Sequence, residues 1–401
     1  MRVLFHYTHK QTLGHTTRSV ALGAALCRHG AETLILQGGV PQPFIRFPKG
    51  CRVLDIPYPF DDRTSFQAQV VVPSSVNKRA QFILKTAAEF APDVFITEFF
   101  PFGRLAYLPE LLPTLRWLRK KGTRIIASIG YPLLVDLEKL EDPNFAALHR
   151  ATFAFFDNFM IHTPKELETP YIHGTIQSPT LSKSYTTIIK NLKKKIVYTG
   201  YIFPEQMLTG GSSLAPQEPS GADTILVSRG GGAVYPKIIT TAIEAQRLID
   251  KSIRTIISCG PATSPKEMEL FHSLLKDSDK NRVLLSSQID NLDDLLRTCR
   301  VSVSLCGYNT SVQLMRFGTP SVIIPYRNTK SPLPTNDQVA RAKLLQERFK
   351  SIALDHDTMT PKSLANAIER QISQPRPKPA PSSWFNGADA AARLVVGDTP
   401  N

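Results

Sequence analysis

The chain has 401 residues, and at about 150 residues per domain this length favours two domains over one. Hydrophobic residues make up 42% of the chain and charged residues 20%, which excludes the composition of a disordered protein. No window approaches the roughly 18 uninterrupted apolar residues that a membrane-spanning helix needs. The N-terminus turns polar too soon for a signal peptide, so we expect a cytoplasmic protein.

Positive charge is concentrated in the first half of the chain. The net charge is +14, and residues 1–200 hold 25 Lys and Arg against 15 Asp and Glu, while the remainder holds 23 against 19. Such an excess suits an anionic or lipid-linked partner or the inner face of a membrane, with a solvated charged face as the alternative. Aromatic residues do not alternate with the basic ones, so we expect no nucleic-acid partner. The densest clusters are Arg116, Arg119, Lys120, Lys121 and Arg124, then Lys190, Lys193, Lys194 and Lys195.

Five cysteines are scattered along the chain without a CxxC pair. An odd, scattered set is typical of reduced thiols in a core and unlike a disulfide framework or a zinc site. We therefore expect packing residues at all five positions, which are Cys27, Cys51, Cys259, Cys299 and Cys306.

Short apolar runs alternate with helical stretches along the whole chain. Continuous Val, Ile and Leu runs separated by helices indicate parallel strands that are buried on both faces. Each half is therefore predicted to be α/β, a doubly wound Rossmann-like parallel sheet. The predicted strands are 3–6, 33–37, 94–97, 124–129 and 159–162 in the first half and 224–228, 254–259, 282–286, 301–306 and 320–325 in the second.

A polar stretch rich in Gly, Ser and Pro separates the two halves. Such a composition cannot bury much surface and is typical of a linker. We predict domains over 1–203 and 223–378, joined by a linker at 204–222. A Pro-rich segment and a final helix over about 388–396 make up residues 379–401.

The first candidate site follows the opening strand. Gly14 permits a tight turn there, and Thr16 or Thr17 is a suitable N-cap for a helix ending near Arg28. His15 then lies at the mouth of that helix, beyond the carboxyl end of a strand, where open α/β sheets bind ligands. A histidine in this position suits a general base because its pKa lies near neutrality; a plain capping role is the alternative.

Glu98 follows the predicted strand at 94–97 and is expected to face the same cleft as His15. From there it is placed to act as a base itself or to orient His15 as an imidazolium partner. An ion pair with Arg18 or Arg104 is the structural alternative.

A glycine loop forms the second candidate site. Gly230, Gly231 and Gly232 stand between the strand at 224–228 and a helix, where their backbone amides can close on a phosphate. Arg229 is placed to add a forked cation to the same phosphate. A glycine loop alone is a weak signal, but it gains weight from the segment that follows the strand at 301–306.

That later segment is predicted to begin a helix that receives an anion. Asn309, two residues after Gly307, is a good N-cap, so Thr310 and the following amides form a positive helix N-terminus. A diphosphate leaving group is stabilised by such a terminus. Gln313 lies one turn further along the same face.

Together these motifs resemble the MurG-like glycosyltransferases of family 28, which have the GT-B fold. The donor half of the resemblance is carried by residues 289–314, 318–320 and 337–338. Residues 5–18 and 97–104 are similar to a bacterial branch of predicted glycosyltransferases within that family. The resemblance covers nearly the whole chain. Its donor-half motif is specific, while its acceptor half identifies the branch and not a substrate.

The resemblance implies an acceptor-binding N-terminal domain and a donor-binding C-terminal domain that holds a nucleoside-diphosphate sugar, above all a UDP-sugar. It implies that main-chain groups near Ile289 hold the base and that Asp337 and Gln338 contact the sugar hydroxyls. The diphosphate is implied to lie between the glycine loop and the helix at Asn309. Transfer in this family inverts the anomeric centre without a metal. The implied acceptor-side residues are Gly14, Thr16 and Arg18.

Two positions depart from the family pattern. The family usually has a Glu that accepts hydrogen bonds from the ribose hydroxyls where this chain has Gln313. Thr12 replaces the first glycine of the usual Gly-x-Gly-His loop that ends at His15. The first departure leaves UDP and dTDP open as donor nucleotides, and the second weakens the acceptor-loop assignment.

We expect neither a metal nor a cofactor besides the donor. His6 and His9 lack a supporting carboxylate. Two Asp-x-Asp matches occur. Residues 277–279 precede a strand, on the wrong side for the cleft, and residues 355–357 are the stronger candidate for a metal site. Two other functions stay compatible with the sequence, a nucleotide-sugar 2-epimerase on the same architecture and a nucleotide-sugar-binding protein without activity.

Overall fold

The structure is a computed structural model of the chain. It describes residues 1–8, 14–39, 45–58, 74–103, 105–131, 142–168, 179–203, 223–231, 235–289, 291–326 and 337–398. The predicted linker at 204–222 lies outside the described residues.

The N-terminal sheet is parallel throughout, as the buried Val and Ile runs predicted. Its described strands are β1 (Arg2–Thr8), β2 (Glu32–Gly38), β3 (Cys51–Asp55), β4 (Val94–Glu98), β5 (Arg124–Ile129), β6 (Asn158–Ile161) and β7 (Ile196–Tyr198). They lie in the order β3-β2-β1-β4-β5-β6-β7. The central strands are buried almost end to end, while the edge strands β3 and β7 are not.

The C-terminal sheet repeats this design with parallel strands. Its described strands are β8 (Thr224–Ser228), β9 (Arg254–Ser258), β10 (Val283–Ser286), β11 (Val301–Leu305), β12 (Ser321–Ile324) and β13 (Ile352–Ala353). They lie in the order β10-β9-β8-β11-β12-β13. The α/β fold class with two Rossmann-like sheets is therefore confirmed, and every predicted strand is present with its ends moved by two residues at most.

Helices connect successive strands and pack against the sheets. In the N-terminal half they are α1 (Gly14–Arg28), α2 (Ser74–Phe90), α3 (Leu108–Lys120), α4 (Pro143–Phe153) and α5 (Pro179–Leu192). In the C-terminal half they are α6 (Lys237–Ala245), α7 (Pro265–Ser273), α8 (Leu292–Thr298), α9 (Tyr308–Phe317), α10 (Asp337–Phe349), α11 (Pro361–Ile372) and α12 (Gly387–Val396).

The C-terminal helix returns to the N-terminal half. Ala391 and Val395 of α12 join the core that includes Val20 of α1, and all three side chains are fully or nearly fully buried. Arg124 at the start of β5 donates a hydrogen bond of 3.0 Å to the carbonyl of Leu394. The sequence predicted this helix, but not that it packs on the opposite domain.

Two expectations from composition have structural outcomes. No helix within the described ranges is long and apolar enough to cross a bilayer. Cys259, Cys299 and Cys306 are buried as expected, while Cys27 and Cys51 are half-buried, with Cys51 packed against the outside of the core.

Candidate active site

Strand order reverses direction at one place in each sheet. Strand β1 lies between β2 and β4, and β8 lies between β9 and β11. The crevice outside the carboxyl ends of strands at such a point is where open α/β sheets bind ligands. His15 and Glu98 lie at the first of these points, and the glycine loop and the start of α9 lie at the second.

Glu98, the last residue of β4, holds a charged cluster together. Its Oε2 lies 2.6 Å from Nδ1 of His15, and its Oε1 accepts a hydrogen bond of 2.6 Å from Nη2 of Arg18. The two roles considered from the sequence, orienting His15 and pairing with an arginine, therefore occur together. The side chain of His15 is 16% exposed against 2% for Glu98, so the imidazole is the member of the pair that solvent reaches.

The electrostatics of the cluster separate the roles of its members. Burial opposes ionisation of Glu98, but His15 and Arg18 outweigh burial and lower its pKa from 4.5 to about 2. A carboxylate with so low a pKa is a poor general base. When Nδ1–H of a neutral imidazole donates to a carboxylate, the lone pair lies on Nε2. The arrangement thus favours His15 as the base and Glu98 as the group that orients it.

The first turn of α1 corrects the capping prediction. The helix already begins at Gly14, so Thr16 and Thr17 lie inside its first turn and do not cap it. Gly14 is not among the glycines with positive φ, so no left-handed turn requires it. The predicted end is confirmed, because α1 stops at Arg28 and Gly30 follows with φ +78°.

The first turn of α1 touches the first turn of α9 across the two domains. Nδ2 of Asn309 donates a hydrogen bond of 2.6 Å to Oγ1 of Thr17. The guanidinium of Arg18 lies 4.6 Å from the ring centroid of Tyr308, a cation–π contact. His15 lies in the same first turn of α1 as Thr17 and Arg18. The predicted base is therefore positioned beside the N-terminus of α9.

The start of α9 also corrects a prediction. Asn309 is not the N-cap: Gly307 is, and the helix begins at Tyr308. The amide of Ser311 bonds back to the carbonyl of Gly307, so the first turn of α9 starts here and the helix has its positive end at this point. The positive helix end on which the predicted anion-binding role depends is therefore present. The side chain of Asn309 makes a contact between domains instead of capping the helix.

Arg229, the residue before the glycine loop, is bonded inside its own domain, and this corrects the expected forked cation. Arg229 is 1% exposed, and its guanidinium donates to the carbonyl of Cys259 (2.8 Å), to Oγ1 of Thr263 (2.7 Å) and to Oε1 of Glu267 (3.1 Å). Three of its five N–H donors are used inside the domain, and the buried side chain presents no fork to solvent. Gly230 has φ +78°, a conformation that favours glycine. Gly231 is described and half-buried, while Gly232 lies outside the described residues.

Gln313 is paired with a carboxylate that the sequence did not point to. Its Nε2 donates a hydrogen bond of 2.6 Å to Oδ1 of Asp293 in the first turn of α8. Burial raises the pKa of Asp293, and this hydrogen bond opposes the rise. Ile289, close by in sequence, is 4% exposed and belongs to the core of this domain.

The predicted sugar-reading pair lies at the start of α10. Asp337 is its first residue, and Oε1 of Gln338 accepts a hydrogen bond of 3.0 Å from the backbone of Tyr326. One turn later, Arg341 is buried: its Nε donates to the carbonyl of Cys306 (3.0 Å), and its guanidinium lies 5.6 Å from the ring centroid of Tyr131 in the other domain. No motif signalled Arg341, because its role depends on a contact between domains.

Possible metal ligands meet at one place in the described part of the chain. Ligand atoms of Asp355, His356 and Asp357 lie within 4.8 Å of one another, after β13. The other Asp-x-Asp match does not form such a group: Asp279 is 2% exposed and accepts hydrogen bonds from Arg247 and other neighbours. His9 lies outside the described residues.

Comparison with known proteins agrees with this architecture. The profile of the glycosyltransferase family 28 C-terminal domain matches residues 224–394. The C-terminal half of the chain is therefore similar to a family 28 domain. An uncharacterised glycosyltransferase of Methanopyrus kandleri, MK0977, is 26% identical over 181 residues, which span 45% of this chain and 46% of that protein, so the match covers about half the length of this relative.

Solved structures show the same fold over the whole chain. The glycosyltransferase of kitacinnamycin is 15% identical with a TM-score of 0.62, covering 100% of this chain and 99% of that one. MurG of Acinetobacter baumannii is 14% identical with a TM-score of 0.56, covering 99% and 100%. VinC, solved with dTDP, is 15% identical with a TM-score of 0.54, covering 99% and 95%. The resemblance to MurG-like family 28 glycosyltransferases of the GT-B fold is thus confirmed.

Proposed function

We propose that this protein moves a sugar from a nucleoside-diphosphate sugar, in first place a UDP-sugar, to an acceptor hydroxyl, with inversion and without a metal. The observation that carries the proposal is the contact between the first turns of α1 and α9. Through Thr17 and Asn309 it brings the His15–Glu98 pair beside a helix N-terminus that suits a diphosphate.

The residues divide the chemistry between them. Nε2 of His15 takes the proton of the acceptor hydroxyl while Glu98 holds the ring and stabilises the imidazolium that forms. The acceptor oxygen forms a bond to the anomeric carbon as the bond from that carbon to the diphosphate breaks, so one displacement inverts the centre. The nucleoside diphosphate leaves toward the amides at the start of α9 and toward Gly230 and Gly231.

Support for a nucleoside-diphosphate donor comes from two sides. The match to the family 28 domain covers the second switch point, where the glycine loop and α9 lie. A solved protein with the same fold, VinC, holds dTDP. The base near Ile289 and the sugar near Asp337 and Gln338 are parts of the same proposal.

The acceptor side is proposed on charge. The basic residues Lys120 and Lys121 precede β5, and Lys193 and Lys194 precede β7, so both clusters lie at the amino ends of the strands, opposite the edge that carries His15. They do not line the cleft. We propose that this exposed basic edge rests on an anionic membrane surface inside the cell, which would suit a lipid-linked or anionic acceptor.

The experiment that tests the function is a donor panel. Thermal shift with UDP-, dTDP- and GDP-sugars identifies the nucleotide that binds, and mass analysis after incubation with a cell extract identifies a glycosylated product. Wild type is compared with His15→Ala, which is expected to keep the thermal shift and lose the product. Conversion of the donor sugar in the absence of any acceptor would instead indicate a 2-epimerase, and binding without turnover would indicate a binding protein.

A further inference from the structure

Two cysteines far apart in sequence meet on the surface of the N-terminal domain. Cys27 lies in the last turn of α1, and Cys51 is the first residue of β3, 24 residues later. Their sulfur atoms are 2.6 Å apart, and both residues are half-buried. The thiols are thus in direct contact, and neither cysteine is fully buried.

Glycines shape the space around this pair. A Cβ at Gly23 would lie 3.5 Å from the sulfur of Cys51 and 2.9 Å from Cδ1 of Ile35, so a side chain there would press on the strand below. Gly50, with φ +95°, turns the chain directly before Cys51, and a Cβ on it would lie 3.7 Å from that of Cys27. The two glycines let α1 and the start of β3 approach closely enough for their thiols to touch.

We propose that Cys27 and Cys51 are an oxidisable dithiol that closes to a disulfide and crosslinks α1 to β3. A disulfide needs its two sulfur atoms to meet at about 2.0 Å, and the two sulfurs already lie 2.6 Å apart. Cys259, Cys299 and Cys306 are buried in the other domain, so the pair stands apart from every other thiol.

The oxidation is a thiol–disulfide exchange with a low-molecular-weight disulfide such as oxidised glutathione. One protein thiolate attacks the reagent, whose S–S bond breaks to release one glutathione and leave a mixed disulfide. The second protein thiolate then displaces the remaining glutathione. Two protein thiols lose two electrons and two protons, and the reagent gains them as two thiols. Because burial and the Cys27 thiol raise the pKa of Cys51, the rate should rise as the solution becomes more alkaline.

The test is a thiol count on the full chain. Reduced protein is incubated in its native state with oxidised glutathione and then denatured, its free thiols are titrated, and its peptides are mapped by mass. We expect the count to fall from the five of the sequence to three, with a peptide crosslinked through Cys27 and Cys51. Neither Cys27→Ala nor Cys51→Ala should form an internal crosslink, and each should instead retain a glutathione adduct on its remaining half-buried cysteine.

Oxidised wild type should also unfold at a higher temperature than reduced wild type, a shift absent in both variants, because the crosslink restrains the unfolded chain. Five free thiols after oxidant treatment, glutathione adducts without a crosslink, or a crosslink to a buried cysteine would overturn the proposal. None of these measurements uses a sugar donor, so their outcome does not depend on the proposed transferase activity.

Discussion

The carboxylate of Glu98 fixes the imidazole of His15 at the point where the two domains meet. Oε2 of Glu98 and Nδ1 of His15 are 2.6 Å apart, and the other oxygen of the same carboxylate is bonded to Arg18. The ring of Phe99 packs against the imidazole with centroids 5.7 Å apart. An imidazole held through Nδ1 in this way, with an aromatic ring packed beside it, keeps one orientation.

Replacement of His15 by Ala should lower the rate of transfer by about 10²–10⁴, the usual loss for a general base, and leave donor affinity nearly unchanged. Donor affinity should survive because the donor is assigned to the C-terminal domain. Initial rates and donor titration by calorimetry check this. Loss of donor binding together with activity would mean that His15 serves the structure and that the base lies elsewhere.

Glu98→Gln should change the dependence of stability on pH. The folded-state pKa of Glu98 is lowered from 4.5 to about 2, although burial opposes this, because His15 and Arg18 favour the carboxylate. The stabilisation is therefore complete above about pH 4.5 and is lost as the pH falls toward 2. The difference in unfolding free energy between wild type and Glu98→Gln, from urea titrations, should shrink over that interval. A difference that stays constant from pH 7 to pH 3 would contradict the assignment.

The strands that could be predicted from the sequence are the ones with neighbours on both sides, together with β10. The three that were missed, β3, β7 and β13, all lie at the edge of a sheet. An edge strand has one bare side, so it need not be a continuous apolar run: Cys51–Asp55 alternates half-buried and exposed residues, with Arg52 and Asp55 exposed. Apolar runs therefore identify buried strands but do not identify exposed strands at the edge of a sheet.

Site residues divide in a similar way. His15 and Glu98 could be predicted to lie at the same edge because each is near a strand end, and strand ends can be located from the sequence. The contact of Asn309 with Thr17 and the burial of Arg229 depend on which segments meet in space, which spacing along the chain does not reveal. By its chemistry Asn309 suits a helix cap and Arg229 suits an anion contact. In the structure both side chains instead form hydrogen bonds to another segment of the chain.

Chelators are expected to leave transfer unaffected. The proposed positive groups around the leaving diphosphate are backbone amides, so activity in EDTA should equal activity in manganese. The matched variant is Asp357→Asn, which removes one carboxylate from the group formed with Asp355 and His356. Inactivation by EDTA that manganese reverses in wild type but not in Asp357→Asn would place a required metal at this group.

Charge reversal on the basic edge should weaken binding to anionic vesicles. Lys120, Lys121, Lys193 and Lys194 are exposed, whereas Arg119 is already paired with Asp157 at 2.8 Å, so the four lysines make the sharper test. We expect the fourfold Lys→Glu variant to lose most vesicle binding in co-sedimentation. The wild-type signal should fall at high salt, because charges are screened beyond about 8–10 Å at physiological ionic strength.

The matched control for the vesicle assay is a fourfold Lys→Glu variant at exposed lysines of the other domain, Lys251, Lys266, Lys362 and Lys378. This variant should sediment more like wild type than the basic-edge variant does. Equal binding by the basic-edge variant and wild type would show that the basic edge is only a solvated face.

The last prediction concerns Gln313, where the chain departs from the pattern of the family that it resembles. Its amide donates to Asp293, so the donor group of the Gln is satisfied and its carbonyl oxygen is the one acceptor left for a ribose hydroxyl. A neutral acceptor discriminates less than a carboxylate, since hydrogen bonds to charged groups contribute about 1.5–3 kcal/mol. Wild type should therefore prefer UDP to 2′-deoxy-UDP only a few-fold, about 1 kcal/mol, and should accept dTDP-sugars beside UDP-sugars.

Because Asp293 lies 2.6 Å from Gln313, restoring the family's Glu by itself would set two carboxylates against each other. Gln313→Glu alone should therefore destabilise the domain, whereas Gln313→Glu with Asp293→Asn keeps the hydrogen bond with its direction reversed. The double variant should show a larger ratio of UDP to 2′-deoxy-UDP affinity than wild type. Isothermal titration of UDP and 2′-deoxy-UDP against wild type and the double variant measures these affinities. An identical affinity ratio in the two proteins would show that this position does not set the choice of nucleotide.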